Sequence, residues 1–362
     1  MNLNKKIKVI IVEDSRVKQE ILINILNSDP DIEVIAAASS GKTAIRYIKD
    51  RKPDIVTMDI NMPGMDGFET TKKILRECPL PIIIISSIRS IHNKRKVAEA
   101  MMESGALYFL DTPPGPWHPD FESVSKNIIR KVKSMSQVKV FTRRKPCSIK
   151  TKVVKEKVNP PILSKTAIIA IGVSTGGPPL LNEILRRLPE NFNFPIVIVQ
   201  HINDNFDSFL AEYLNRDCKV TVKLAKNAEP LKSKTVYIAP GKHHLTISSS
   251  YKVALIKNNS DHIIPSADAL FNSVANIYGS SGVGILLTGM GKDGAKGLKK
   301  MKDKGAVTII QNKASSVVYS MPYEAKKINA EKFIMSPEEI IQYLLDINTK
   351  YEIIYLKQSS NL

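Results

Sequence analysis

The chain alternates short β-branched runs with amphipathic stretches, and it does so twice. In the first half the runs are KVIIVE (8–13), EVIAAA (33–38), DIVTMD (54–59), PIIIIS (81–86) and ALYFL (106–110). Segments of helical period lie between and after them, near 16–27, 42–51, 67–77, 92–104 and 120–134. Strand-helix repetition of this kind builds a parallel sheet with helices on both faces and right-handed crossovers. The pattern lapses over 133–165, KSMSQVKVFTRRKPCSIKTKVVKEKVNPPILSK, which has no sustained period. That segment contains Pro160-Pro161, a pair that neither a helix interior nor a central strand accepts. Alternation resumes at TAIIAIG (166–172), PIVIVQ (195–200), KVTVKL (219–224), TVYIA (235–239), VGILLT (283–288) and AVTII (306–310). HLTIS and KVALIK read as an antiparallel pair across SSY. The predicted fold class is α/β, with two doubly wound parallel-sheet domains at 1–132 and 166–362. The second carries an antiparallel hairpin, and a linker at 133–165 joins them.

Charge then bears on partners. The formal net charge is +18, which raises nucleic acid as a ligand. Yet the 33 residues of 133–165 hold ten Lys/Arg against one Asp/Glu, half of the whole excess. A basic stretch this poor in acids reads as a solvated tether, so no nucleic-acid partner is expected. No apolar run approaches the roughly 20 residues that span a bilayer. The opening MNLNKKIKVIIVEDS lacks a signal peptide's apolar core. A cytoplasmic location without membrane insertion is therefore expected. Cys78, Cys147 and Cys218 are widely spaced with no Cys-x-x-Cys, which argues against a disulfide framework or a thiolate zinc site.

In open α/β sheets, function gathers just beyond the carboxyl ends of the strands. Ser174 follows the run AIIAIGV inside Gly172-Val173-Ser174-Thr175-Gly176, and His201 directly follows PIVIVQ. Asp293, in LLTGMGKDGAKG, lies just beyond a third run. Hydroxyl, imidazole and carboxylate at one edge are what nucleophilic acyl transfer needs. Each has a plainer use. Ser174 suits an ordinary turn, His201 a core histidine, and Asp293 a cap for the helix beginning near Lys292. His243, His244 and His262 compete as the base. The chain order Ser, His, Asp differs from that of α/β-hydrolases, so the Gly-x-Ser-x-Gly signature does not place the chain among them.

Together, IGVSTGGP, VQHI, YIAPG, HIIPSADALFNSVA and LLTGMGKDGAKGL resemble the chemotaxis protein-glutamate methylesterases, two-domain response regulators. The resemblance covers nearly the whole chain. It implies hydrolysis of glutamate γ-methyl esters, and deamidation of glutamines, on chemoreceptor cytoplasmic helices. It assigns Ser174 as nucleophile, His201 as general base and Asp293 as orienting acid, with Thr175 and Met290 lending backbone N–H groups at the rim. The esterase is expected to need no cofactor. Two departures bear on substrate affinity. Ile202-Asn203 replaces a Met-Pro after the histidine, and Asn312-Lys313 replaces an acidic pair. The alternative reading is a non-enzymatic response regulator or adaptor with an idle hydrolase domain.

The first domain resembles a phosphoacceptor receiver of flavodoxin-like fold, served by a histidine kinase as phosphodonor. Asp59 ends the third run in MDINMPGMDG as the acceptor, and Glu13 and Asp14 end the first. Carboxylates clustered in this way suit Mg²⁺. Ser86, ending the fourth run, matches the switch hydroxyl. Where the family has a lysine after the fifth strand, this chain has Thr112, which carries no charge. Only a modest gain of activity on phosphorylation is therefore expected.

Overall fold

The computed structural model describes residues 6–87, 108–138, 167–202, 206–257 and 263–359. The helix expected near 92–104, the linker from 139 onward, Asn203 and His262 lie outside them. The chain divides into two compact units, Met1–Cys147 and Ser148–Leu362.

In the first unit β1 (Ile7–Val12), β2 (Ile32–Ala38), β3 (Ile55–Met58), β4 (Ile82–Ile85) and β5 (Tyr108–Leu110) form one parallel sheet. Its order is β2-β1-β3-β4-β5. From β1 the chain adds a strand on one side and then returns to add three on the other. Right-handed crossovers in opposite senses put helices on opposite faces. Every residue of β3 and β4 is accordingly buried, which is why those runs are continuously apolar. The helices are α1 (Arg16–Asn27), α2 (Gly41–Arg51), α3 (Gly67–Glu77) and α4 (Phe121–Met135). Ser40 caps α2 through the Thr43 N–H, and Asp66 caps α3 through the Glu69 N–H. The last helix runs three residues past 132, the expected end of the domain. Val132 and Met135 are still core residues there, and Lys133 Nζ reaches Asp31 at 2.7 Å and Asp29 at 3.1 Å.

In the second unit seven parallel strands take the order β14-β13-β12-β6-β7-β9-β8. They are β6 (Ile168–Val173), β7 (Ile196–Gln200), β8 (Thr221–Leu224), β9 (Thr235–Ile238), β12 (Gly282–Leu286), β13 (Val307–Gln311) and β14 (Phe333–Met335). The hairpin is β10 (His244–Ile247) with β11 (Val253–Ile256), antiparallel as the sequence suggests. The helices are α5 (Gly177–Leu185), α6 (Asp207–Asp217), α7 (Ala267–Tyr278), α8 (Ala295–Asp303), α9 (Ser320–Lys327) and α10 (Pro337–Ser359). Beyond the run at 306–310 the sequence pattern does not show α9, β14 and α10. Three residues, Phe-Ile-Met, are too few to show a period, and β14 is an edge strand held only by β13. Helix α10 is anchored by Asn348, whose Oδ1 accepts from the Asn193 backbone N–H at 2.8 Å.

One close approach sets up the site. A Cβ on Gly172 would lie 2.8 Å from Ala267 Cβ and 3.2 Å from Phe271. Glycine there lets the first turn of α7 pack against the end of β6. The sheet's order reverses at β6, between β7 and β12, so a crevice opens at its carboxyl end.

Candidate active site

Ser174 follows β6, His201 follows β7, and Asp293 comes seven residues after β12, so the three arrive at this crevice. His201 Nε2 lies 2.8 Å from Asp293 Oδ2. Asp293 is nearly fully buried and faces three further donors. Ser266 Oγ donates to Oδ1 at 2.7 Å, the Asp268 N–H to Oδ1 at 3.1 Å, and the Ala267 N–H to Oδ2 at 2.6 Å. Burial alone would raise its pKa, but His201, Ser266 and the Ala267 N–H outweigh burial and hold the carboxyl below its ordinary value. An ionised carboxylate only accepts, so Nε2 is the donor in this bond, and in the neutral ring the lone pair then falls on Nδ1. That is the tautomer a general base requires.

The capping use weighed for Asp293 is present too, on a different helix. Asp293 caps α7, where the first-turn N–H groups and the positive end of the dipole favour an anion. It does not cap α8, whose N-cap is Gly294. Of the competing histidines, His244 is buried and its Nδ1 accepts from the Ser266 N–H at 3.2 Å. His243 sits in a turn, its N–H bonded to Pro240 O.

Ser174 Oγ makes no hydrogen bond among the described residues, and its side chain is half-buried at the crevice. Such bonds are often absent until substrate binds. The backbone around it is fully committed: the Ser174 N–H donates to Thr288 O at 3.0 Å, and Ser174 O accepts from the Gly177 N–H at 2.9 Å. By contrast the Thr175 and Met290 N–H groups have no acceptor among the described residues.

Buried polar side chains missed in the sequence hold these loops. Gln200 Nε2 donates to Ser174 O at 2.9 Å and His201 O at 3.0 Å, tying the ends of β6 and β7 together. Gln311 Oε1 accepts from the Thr288 N–H at 2.7 Å. Thr288 Oγ1 donates to Thr175 O at 3.0 Å and accepts from the Val318 N–H at 2.9 Å. A signal was available, since PIVIVQ and VTIIQ are apolar runs that each end in a glutamine. Asn312 Oδ1 is used inside its own loop, accepting from the Ser315 N–H at 3.0 Å.

The first unit gathers a separate cluster where its own strand order reverses, between β1 and β3. Carboxylate oxygens of Glu13, Asp14 and Asp59 lie within 4.8 Å of one another, with Glu13 and Asp59 buried and Asp14 exposed. Burial, and then the Asp59 charge, push the Glu13 carboxyl up to about 7. Asp59 Oδ1 accepts from the Ile60 N–H at 2.8 Å, while Oδ2 is buried without a hydrogen-bond partner. Ser86 is buried beside Asn61, whose Nδ2 lies 3.4 Å from Ser86 Oγ.

Two family profiles and relatives matching over most of the chain are found among known proteins. The family profile described as response regulator receiver domain matches residues 9–116, and that described as CheB methylesterase matches 169–344. A protein-glutamate methylesterase/protein-glutamine glutaminase 1 of Syntrophus aciditrophicus (strain SB) is 42% identical over 346 residues, covering 94% of this chain and 98% of the relative. A protein-glutamate methylesterase/protein-glutamine glutaminase of Nitrosospira multiformis is 39% identical over 345 residues, covering 94% and 97%. Among solved structures, the CheB methylesterase catalytic domain of Thermotoga maritima is 37% identical, covers 51% of this chain and 99% of that chain, and gives a TM-score of 0.48. The architecture is that of a response regulator, a receiver followed by a second α/β unit. The chain belongs to the protein-glutamate methylesterase/protein-glutamine glutaminase family.

Proposed function

We propose that the chain hydrolyses glutamate γ-methyl esters, and deamidates glutamines, on the cytoplasmic helices of chemoreceptors. Its receiver takes a phosphoryl group from a histidine kinase, and it acts in the cytoplasm. The observation that carries this reading is the His201–Asp293 pair at the same sheet edge as Ser174, with the N–H groups of Thr175 and Met290, which have no acceptor among the described residues, on the Ser174 and Asp293 loops.

Ser174 Oγ attacks the ester carbonyl as His201 Nδ1 takes its proton. The Thr175 and Met290 N–H groups donate to the oxygen that becomes negative. Asp293 holds the imidazole in its tautomer and stabilises the cation. His201 returns the proton to the leaving methoxide, so methanol departs and Ser174 is left acylated. Water, deprotonated by the same histidine, then releases the glutamate carboxylate. With a glutamine substrate, ammonia leaves in place of methanol.

In the receiver the residues present fit a hard divalent cation: three carboxylates converge, Asp59 Oδ2 is buried and accepts no hydrogen bond, and burial with the neighbouring Asp59 charge pushes the Glu13 carboxyl up to about 7. Glu13, Asp14 and Asp59 would hold Mg²⁺, which supplies charge neutralisation for phosphoryl transfer. Asp59 accepts the phosphoryl group, and Ser86 is the hydroxyl that turns toward it. Among the described residues no helix is long and apolar enough to cross a membrane.

The test is methanol release from methylated receptor membranes by wild type and Ser174→Ala. The variant is expected to lose turnover while keeping its melting temperature, since Ser174 Oγ holds nothing in place. Substantial turnover in the variant would overturn the assignment.

A further inference from the structure

The receiver cluster contains a cation that the sequence motifs do not announce. Lys18, in the first turn of α1, places Nζ 3.4 Å from Glu13 Oε1 and 3.6 Å from Asp59 Oδ2. Among the described residues no other Lys or Arg pairs with either carboxylate. Both distances exceed an ordinary charge-assisted hydrogen bond, so the ammonium is shared loosely between the two acids. Its side chain is one-third exposed on a flexible four-carbon stem, free to move a few ångströms. After β5, where a second cation is expected, Thr112 is neutral and its Oγ1 is buried without a partner.

We propose that Lys18 is the cation that grips the phosphoryl group on Asp59, and that it balances the pocket's charge until a divalent cation displaces it from Glu13. The proposal rests on the reading of Asp59 as acceptor. In that step an Asp59 carboxylate oxygen attacks the phosphorus of a phosphoramidate or acyl phosphate. The bond from phosphorus to the donor's leaving group breaks, and that group leaves with the electron pair and takes up a proton from solvent. The acyl phosphate carries up to two negative charges where the carboxylate carried one. An ammonium already 3.6 Å from Asp59 Oδ2 gains by turning from the carboxylates to a phosphoryl oxygen. A divalent cation held at Glu13 would repel the ammonium in the same direction. The loss expected from Thr112 is thereby offset from near the start of the receiver.

Lys18 therefore has two separable effects, against the divalent cation alone and in favour of the phosphoryl group. The test uses the full chain as wild type, Lys18→Met, Lys18→Arg and Asp59→Asn, with calorimetric titration by Mg²⁺ alone and by beryllium fluoride in saturating Mg²⁺. Lys18→Met is expected to bind Mg²⁺ several-fold more tightly, because a competing charge has gone. It is expected to bind beryllium fluoride about tenfold more weakly, the factor one charge-assisted bond is worth. Lys18→Arg should stay close to wild type in the second titration. Unchanged affinities in Lys18→Met would overturn the proposal, as would tighter Mg²⁺ binding with beryllium fluoride affinity undiminished. Beryllium fluoride binding that survives Asp59→Asn would overturn the acceptor reading itself, whatever Lys18→Met does.

Discussion

Asp293→Asn tests the site most sharply, because four donors converge on that carboxylate. An asparagine offers one carbonyl oxygen and one NH₂. With the oxygen at the Oδ1 position, Ser266 Oγ and the Asp268 N–H keep their acceptor, but the NH₂ faces the Ala267 N–H and His201 Nε2. The imidazole must then move its proton to Nδ1, and the lone pair that serves Ser174 is lost. With the amide turned round, His201 keeps its tautomer but the Asp268 N–H opposes the NH₂, and the imidazolium has no counter-charge. Either way one backbone N–H is stranded and the remaining bonds lose their charge assistance. Together these cost about 3 kcal/mol, or roughly 6–12 °C in melting temperature for a unit of this size. Turnover should fall by about 10³–10⁴-fold, the scale for such a change in serine hydrolases. His201→Ala should be more damaging still, and the double variant little worse than that, because the residues act as a unit. The sign with pH is also determined. The folded pKa of Asp293 lies below its ordinary value of 3.8, so its contribution to stability is complete above that pH and fades as pH falls through the folded value. The gap in melting temperature should therefore be full near pH 7 and close in acid. Methanol release and thermal unfolding across that range measure both. An asparagine variant with more than about a tenth of wild-type turnover and an unchanged melting temperature would refute the reasoning.

Gly289→Ala should disturb the nucleophile while every triad residue keeps its identity. Its new Cβ would collide with Met321 Sδ and lie 2.8 Å from Ser174 Cβ, an overpacking that costs about 1–3 kcal/mol and displaces Ser174. Turnover is expected to fall more than tenfold, and a normal rate would show that the loop yields freely. Chelating divalent cations should remove any stimulation by a small phosphodonor while leaving basal ester hydrolysis in place. A basal rate that falls with chelator would place a metal in the hydrolytic step.

The division of labour between sequence and tertiary structure shows in particular residues. β-branched runs, turn glycines and Ser, Asn or Asp caps act within a few positions, so the sequence by itself determined the strand–helix rhythm and the two sheets. It also determined which residues end the strands, Glu13 and Asp59 in one unit and Ser174 and His201 in the other. Short or weakly periodic pieces carry no such signal, and β14 shows only when β13 is there to hold it. As a cap, Asp293 reads from the sequence only toward its own helix, since capping is ordinarily local. Only the strand order, with β12 beside β6, brings the start of α7 to Asp293 from 25 residues back in the chain. The same dependence governs His201 Nε2 and Asp293 Oδ2, which meet across 92 positions. Lys18 reads as one more lysine on a surface helix until β1 and β3 pair and set Glu13 and Asp59 under its ammonium. Contacts of this kind depend on which strands are neighbours. That choice is made by burying both faces of a sheet, a global energy that no short stretch of residues contains.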